Sequence, residues 1–279
     1  MGSVHSSSAG RPRWTTAHQG GAVDGRRVLR SVVEDLLAPL ADLVLPRVCA
    51  GCGGPGEVVC PRCARWLTHP HLARPRRHTE GFPPTVAAGP YAGPVKPVVL
   101  AFKEHGRAEL AGPLGAALAL AVVGVCQAAR DGPGPLLLVP VPSSRAALRE
   151  RGRDHVGELT VAAVRELRGS GLDARRARLL ARRGRVADSA GLTAADRRAN
   201  LAGTFVPRRG PGVPPDALVV LVDDVVTSGA TLCEAAAALP VAPATGTVLA
   251  AVVAATPAGA RPPVTAGPGV ITVRHGRWG

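Results

Sequence analysis

The sequence predicts an α/β fold with a parallel sheet, preceded by a small cysteine-rich module. Short apolar runs at residues 136–141 (LLLVPV), 217–224 (ALVVLVDD) and 246–255 (GTVLAAVVAA) are typical of buried strands. Segments with helical periodicity, at residues 154–167 and 230–239, lie between them. A strand, a helix and a strand at this spacing form a βαβ unit, whose strands pair in parallel.

The composition indicates a globular protein that would attract polyanions. Hydrophobic residues make up 46% of the 279 residues and aromatic residues only 3%, so the core must consist of Ala, Val and Leu. The formal net charge of +14 fits nucleic acid, a nucleotide or a pyrophosphate ester as a partner, and charge alone does not choose among them. Lysine occurs only at Lys96 and Lys103, which points to a coding bias toward arginine and weakens any functional reading of the arginine content.

We expect four regions along the chain. Residues 1–33 are polar and lack the apolar core of a signal peptide, so they predict a disordered tail and a cytoplasmic protein. Residues 34–80 hold the end of an amphipathic helix that begins near residue 30, the cysteine module and a linker from residue 68 rich in Pro, His and Arg. Residues 81–257 form the α/β domain, and the Pro- and Gly-rich residues 258–279 form a flexible tail.

An uncharged stretch at residues 110–129 (LAGPLGAALALAVVGVCQAA) is long enough to span a membrane. It contains Pro113, three glycines and Gln127, and it is mostly alanine rather than leucine or isoleucine. We therefore predict a helix buried against the sheet and no membrane span.

The four cysteines of the module form two CxxC pairs. Cys49 and Cys52 make the first pair, and Cys60 and Cys63 follow after seven residues. Two such pairs can complete a tetrahedron of thiolates around one Zn²⁺, and four cysteine ligands leave no open position for catalysis. The pattern predicts a structural zinc site, and disulfide bonds are the alternative.

The segment that follows the second apolar run predicts an anion site. The strand brings Asp223 and Asp224 to its carboxyl end, where ligands of open α/β sheets bind. A short loop at residues 225–229 then turns into a helix near Ala230, so backbone N–H groups and the helix N-terminus face an anion. The two carboxylates can accept hydrogen bonds from a ribose diol; alternatively, one of them only caps the turn. The expected phosphate-binding residues are Thr227, Ser228, Gly229, Ala230 and Thr231.

This segment resembles the phosphoribosyl pyrophosphate (PRPP) signature of type I phosphoribosyltransferases, with Ser228 where a second threonine is usual. The resemblance extends over residues 34–256 to the ComF/GntX family of competence-associated proteins. Its motifs here are the cysteine pairs, YAGP at 91–94, FKEHGR at 102–107, VPVPSS at 139–144, RGRD at 151–154 and ADRRAN at 195–200. The sequence departs from the family at RGRD, where Arg-Gly-Phe-Asn is usual, and at Ser189, where glutamine is usual.

The resemblance implies a type I phosphoribosyltransferase fold that binds PRPP or a ribose-phosphate nucleotide. Asp223 and Asp224 would hold the ribose hydroxyls, residues 227–231 the 5′-phosphate, and Mg²⁺ would accompany the pyrophosphate. The resemblance implies a function in the handling of imported DNA or in nucleotide salvage. In the first case the partners would be DNA or DNA-processing proteins. The resemblance fits either a transferase or a non-catalytic binding module, and the sequence does not identify the acceptor substrate. The pyrophosphate loop would be Pro142, Ser143, Ser144 and Arg145.

A dense basic run at residues 175–185 (RRARLLARRGR) holds six arginines and no acid. It can bind nucleic acid, help to dock a pyrophosphate or simply be a solvated face. Single-strand binding uses aromatic platforms, and Phe102 is the one aromatic residue between Tyr91 and Phe205. His105 and His155 are expected in polar surroundings and are assigned no role.

Overall fold

The computed structural model describes residues 47–75, 80–127, 134–183, 203–208, 213–239 and 248–257. The expected tails at 1–33 and 258–279, the helix before residue 46, and Ser189 lie outside the described residues.

The described chain is built around one mixed sheet of six strands in the order β1-β2-β8-β7-β3-β4. The pair β1–β2 is antiparallel and every other pair is parallel, so the predicted α/β class with a mostly parallel sheet is confirmed. A separate antiparallel pair consists of β5 and β6. The strands are β1 His71–Leu72, β2 Thr85–Pro90, β3 Leu136–Pro140, β4 Ala174–Arg176, β5 Leu180–Arg182, β6 Phe205–Pro207, β7 Leu218–Val226 and β8 Leu249–Ala255.

Helices cover both faces of the sheet. Residues of α2, α3 and α5 pack with Val220 and Val222 on one face, which we call the first face. Residues of α6 and of the β5–β6 pair pack with Val219 and Leu221 on the other, the second face, because successive side chains of a strand point to opposite sides. The helices are α1 Pro61–Ala64, α2 Val95–Lys103, α3 Ala111–Gln127, α4 Arg145–Arg151, α5 His155–Gly169 and α6 Ala230–Ala237.

The apolar stretch near residue 110 is a core helix. A 3-10 turn followed by α3 (together Ala108–Gln127) is long and apolar enough to cross a membrane, but 61% of its most apolar window is buried within the protein. Leu114 and Leu118 are fully buried. A Cβ at Gly115 would collide with Ala162 of α5, so glycine permits the close approach of these two helices.

The cysteine module packs directly on the α/β fold. Cys63 and Leu67 belong to the same buried core as Val86 of β2 and Val98 of α2. The backbone of β2 passes so close to the carbonyl of Trp66 that only glycine fits at position 89. The segment expected to be a linker contributes β1, which pairs with β2 at the edge of the sheet.

Candidate functional site

The candidate site lies between the carboxyl ends of β3 and β7, a region that we call the crevice. These strands are neighbours, yet the chain continues from β3 to helix α5 on the first face and from β7 to α6 on the second face. Such a point, where successive helices diverge, is the usual ligand site of an open α/β sheet. The loop after β3 begins beside the acids, because the N–H of Val141 donates to the carbonyl of Val222 at 2.9 Å.

The loop after β7 is shorter than expected. The strand runs to Val226, so Asp223 and Asp224 lie within it, and only residues 227–229 connect it to α6 at Ala230. Gly229 adopts φ +84°, and a Cβ there would lie 2.8 Å from the ring of Phe82. Glycine is therefore required both for the left-handed conformation and for the close approach of Phe82.

We expect Gly229→Ala to lower the free energy of unfolding by at least about 1–2 kcal/mol, because an L-residue is strained in the left-handed region. The contact with Phe82 adds to that cost. Gly112→Ala in the first turn of α3 is the control, since nothing lies within 4 Å of its Cβ position. Urea denaturation measures both; equal stability of the two variants would contradict the assignment.

One hydroxyl group of the loop after β3 caps the helix that follows the loop. Ser144 caps α4 by accepting a hydrogen bond from the N–H of Ala147 at 3.1 Å. Pro142 and Ser143 are half-buried and Arg145 is exposed. Ser143 and Arg145 are thus the side chains of this loop that remain available to a ligand.

Asp224 is buried and already engaged. Its Oδ2 lies 2.7 Å from Nζ of Lys103 on α2 and 3.2 Å from Nε2 of His155 on α5. Its Oδ1 accepts the N–H of Val225 at 2.7 Å. The side chain therefore points toward the first face and ties β7 to two helices.

The charges around Asp224 favour its ionised form. Burial alone would raise the pKa of Asp224, but the hydrogen bond from His155 and the charge of Lys103 hold it well below its usual range. Burial opposes the charged form of Lys103 as well, and the carboxylate of Asp224 nevertheless raises the pKa of Lys103. The two residues form an ion pair whose carboxylate is buried and whose lysine side chain is 28% exposed.

Asp223 differs from its neighbour in its exposure and in its charged partners. It is only partly buried, and it lies two residues after Leu221 on the strand, so its side chain points to the same second face. Among the residues that the structure describes, no cation lies within 4 Å of its carboxylate; its Oδ1 accepts the N–H of Asp224 at 2.8 Å. Burial and the charge of Asp224 raise its pKa well above the usual value. Asp223 is thus the acid that remains free for a ligand.

Two residues of this site escaped the sequence analysis. Lys103 lies in a quoted motif but was given no role. His155 was expected in polar surroundings, which is wrong: it is 2% exposed, and its Nδ1 has no hydrogen-bond partner within the described ranges. A signal was available, because His155 shares a helical stripe with the buried Leu159 and Ala163.

The basic run is not one uniform surface. Its first two arginines belong to β4, and its residues from 184 onward lie outside the described ranges. Arg175 is exposed and pairs with Asp173 at 3.0 Å. Arg182 is partly buried with its guanidinium 5.4 Å from the ring centre of Phe205, and burial lowers its pKa. Arg176, in contrast, donates to the carbonyl of Gly157 in α5, so the side chains of the run point in different directions.

The four cysteines meet as expected. Their sulfur atoms lie within 4.8 Å of one another, and Sγ of Cys52 is 3.7 Å from Sγ of Cys60. Tetrahedral zinc with Zn–S bonds of about 2.3 Å needs sulfurs about 3.8 Å apart. The N–H groups of Gly51 and Cys60 donate to Sγ of Cys49. Burial opposes the Cys49 thiolate, but such backbone hydrogen bonds lower its pKa to about 6. The cluster could hold a structural zinc ion.

No protein-family model matches this chain, and no curated protein matches it either. The resemblance to the ComF/GntX family stays a prediction that rests on the motifs quoted above.

Proposed function

We propose that this chain is a ComF-type, phosphoribosyltransferase-like protein that binds PRPP or a ribose-phosphate nucleotide in the crevice between β3 and β7. The supporting observation is the free carboxylate of Asp223 in β7, one strand away from the loop after β3 and just before the loop 227–229. A ribose phosphate needs a phosphate cradle, acceptors for its hydroxyls and space for the group on C1. The loop 227–229 is suited to the first of these and Asp223 to the second.

The 5′-phosphate would bind at the start of α6. The backbone of Thr227, Ser228 and Gly229 leads into this helix, whose first N–H groups have no partner within the helix and whose N-terminus is the positive end of its dipole. The N–H of Ala230 lies 3.5 Å from Oγ of Ser228, a long hydrogen bond that a phosphate oxygen would replace. The hydroxyl of Thr231 lies in the first turn. We assign the direct contact with the ribose diol to Asp223, since both oxygens of Asp224 already have partners.

The pyrophosphate would lie against the loop after β3, near Ser143 and Arg145. Bound Mg²⁺ would neutralise its charge, and carboxylate oxygens such as those of Asp223 are suitable ligands, directly or through water. In a transferase, nearby cations stabilise the departing pyrophosphate while C1 becomes cationic. The chain would then be a pentosyl-transferring enzyme of the cytoplasm, acting in nucleotide salvage or the use of imported DNA.

The alternative is a non-catalytic module that uses the same crevice to sense a nucleotide or to contact DNA and its processing proteins. Release of pyrophosphate from PRPP that depends on an added base or amine distinguishes a transferase from such a module.

We expect Asp223→Asn to weaken PRPP binding in the presence of Mg²⁺ by about ten- to a hundredfold. Bound Mg²⁺ would favour the ionised form of Asp223 and so oppose the rise in its pKa, and hydrogen bonds to a charged carboxylate contribute roughly 1.5–3 kcal/mol. Calorimetric titration measures the affinity, and the fold should survive because this carboxylate has no ion-pair partner among the described residues.

Asp216→Asn is the matched control, because Asp216 is exposed on the segment leading into β7. Unchanged affinity together with a lower melting temperature in Asp223→Asn would make this acid a structural group. A wild-type protein that binds neither PRPP nor any ribose 5-phosphate nucleotide would refute the proposed function.

A further inference from the structure

A groove of about 360 Å³ lies beside α5, away from the crevice. It runs between the beginning of α3, the exposed side of α5 and the residues at the end of β4. Its lining combines apolar and basic side chains. The apolar ones, which we call the floor, are Ala111, Val161 and Ala162, and the basic ones, which we call the rim, are Arg165, Arg176 and Arg178.

Helix α5 separates this groove from the crevice. His155 and Leu159 are buried toward the sheet, where His155 meets Asp224. Asp154, Val161 and Arg165 recur at helical spacing on another side of the same helix and line the groove. A ligand in the groove would therefore contact α5 on a different side from a ligand of the crevice.

The acids of the groove have other partners. Both oxygens of Glu158 bond to the guanidinium of Arg153. Oδ1 of Asp154 accepts the N–H of Gly157 at 3.1 Å and so caps α5. Its Oδ2 lies 3.9 Å from Arg178, at the limit of an ion pair.

Two of the three arginines, in contrast, lack close counterions. In the described part of the chain, no carboxylate lies within 4 Å of Arg165 or Arg176, and Arg176 has only a 3.4 Å hydrogen bond to the carbonyl of Gly157. Burial and the positive charge of Arg178 lower the pKa of Arg176. An anion between these two guanidiniums would relieve their repulsion.

A phosphate group suits this arrangement. Guanidinium groups bind phosphate through paired N–H···O bonds, and the three terminal oxygens of a monoester can satisfy two arginines at once. The floor adds apolar surface, since the side chain of Val161 is 43% exposed. Apolar surface beside a phosphate position favours an organic phosphate over the inorganic ion.

We propose that this groove is a second anion site that binds a phosphate monoester, with the phosphate between Arg176 and Arg178 and the organic group on Val161. The site does not depend on the function proposed for the crevice. A small phosphorylated molecule and the 5′-terminal phosphate of a nucleic acid strand share the required chemistry.

Phenyl phosphate is a suitable probe because it carries a phosphate and an apolar ring but no ribose. In calorimetric titrations we expect Arg176→Gln to weaken its binding tenfold or more. Arg175→Gln removes the same charge one position away, from a side chain that is exposed and paired with Asp173, and should change the affinity less than twofold. Val161→Ser should weaken phenyl phosphate but leave inorganic phosphate unchanged.

Short oligonucleotides with and without a 5′-phosphate show whether the natural ligand is a nucleic acid end or a small molecule. Tighter binding of the phosphorylated strand, lost in Arg176→Gln, indicates a strand end; tight binding of phenyl phosphate alone indicates a small molecule. Either result supports the site. Equal losses in Arg175→Gln and Arg176→Gln, or no binding of any phosphate probe to the wild type, would overturn it. PRPP binding is measured separately in the same variants, so that a failure of the proposed function can be distinguished from a failure of the groove proposal.

Discussion

Cys63→Ser is expected to destabilise the whole α/β fold and not merely the segment that carries the cysteines. Cys63 is 3% exposed and shares a core with Val86 and Val98, so loss of the metal would loosen residues that β2 and α2 pack against. Structural zinc contributes apparent binding energies of about 10–16 kcal/mol in small zinc modules. Even a loss of 5 kcal/mol would lower the melting temperature by roughly 10–20 °C at this size.

Elemental analysis and thermal unfolding test this expectation together. We expect about one zinc per chain in the wild type, and a chelator should reproduce the effect of Cys63→Ser. Cys233→Ser is the control, because Cys233 lies in α6 outside the cluster. Metal-free protein with Cys49–Cys52 or Cys60–Cys63 oxidised, or a stable Cys63→Ser variant, would refute the zinc assignment.

Lys103→Met is expected to cost about 3–5 kcal/mol of stability. The substitution leaves the carboxylate of Asp224 buried without its cation, and breaking one side of a buried ion pair is more harmful than removing the pair. The double variant with Asp224→Asn should recover much of the loss. Lys96→Met, on the exposed side of the same helix, should stay within about 0.5 kcal/mol of the wild type.

Acid should unfold the protein partly through this same pair. Since the pKa of Asp224 is lower in the folded protein than in the unfolded chain, its carboxylate stabilises the fold above its ordinary pKa of about 4, and this contribution is lost as the pH falls further. In Lys103→Met the folded-state pKa of Asp224 rises, so urea midpoints measured against pH should decline less in acid than those of the wild type. If the urea midpoints of the variant fell with pH as steeply as those of the wild type, Lys103 would not stabilise the charge of Asp224.

The sequence predicts the central strands well because burial on both faces leaves an unbroken apolar run. β3, β7 and β8 follow that pattern. Two other strands do not follow it. β2 (TVAAGP) is rich in small residues, and β4 (ARR) is a short edge strand with polar side chains. Their strand character comes from the neighbours that pair with them.

The candidate site, like the sheet, could be predicted from the sequence only in part. Asp223, Asp224 and Gly229 stand in one local motif, so their proximity follows from the chain itself. Lys103 and His155 reach Asp224 from two distant helices, and only the tertiary packing shows that the two acids have different surroundings. Likewise, the roles of Gly51 and Gly89 depend on what lies against them, respectively Cys63 and Trp66.

The place of β8 in the sheet has a consequence for the order of folding. It is late in the chain, yet it lies between β2, which is early, and β7. Until β8 is synthesised, β1 and β2 have no link through the sheet to β7, β3 and β4, and two strand edges stay open to other chains. Pairing across so much sequence is slow. The nascent protein is therefore most prone to aggregation just before β8 leaves the ribosome, and a truncation before residue 249 should yield insoluble chains.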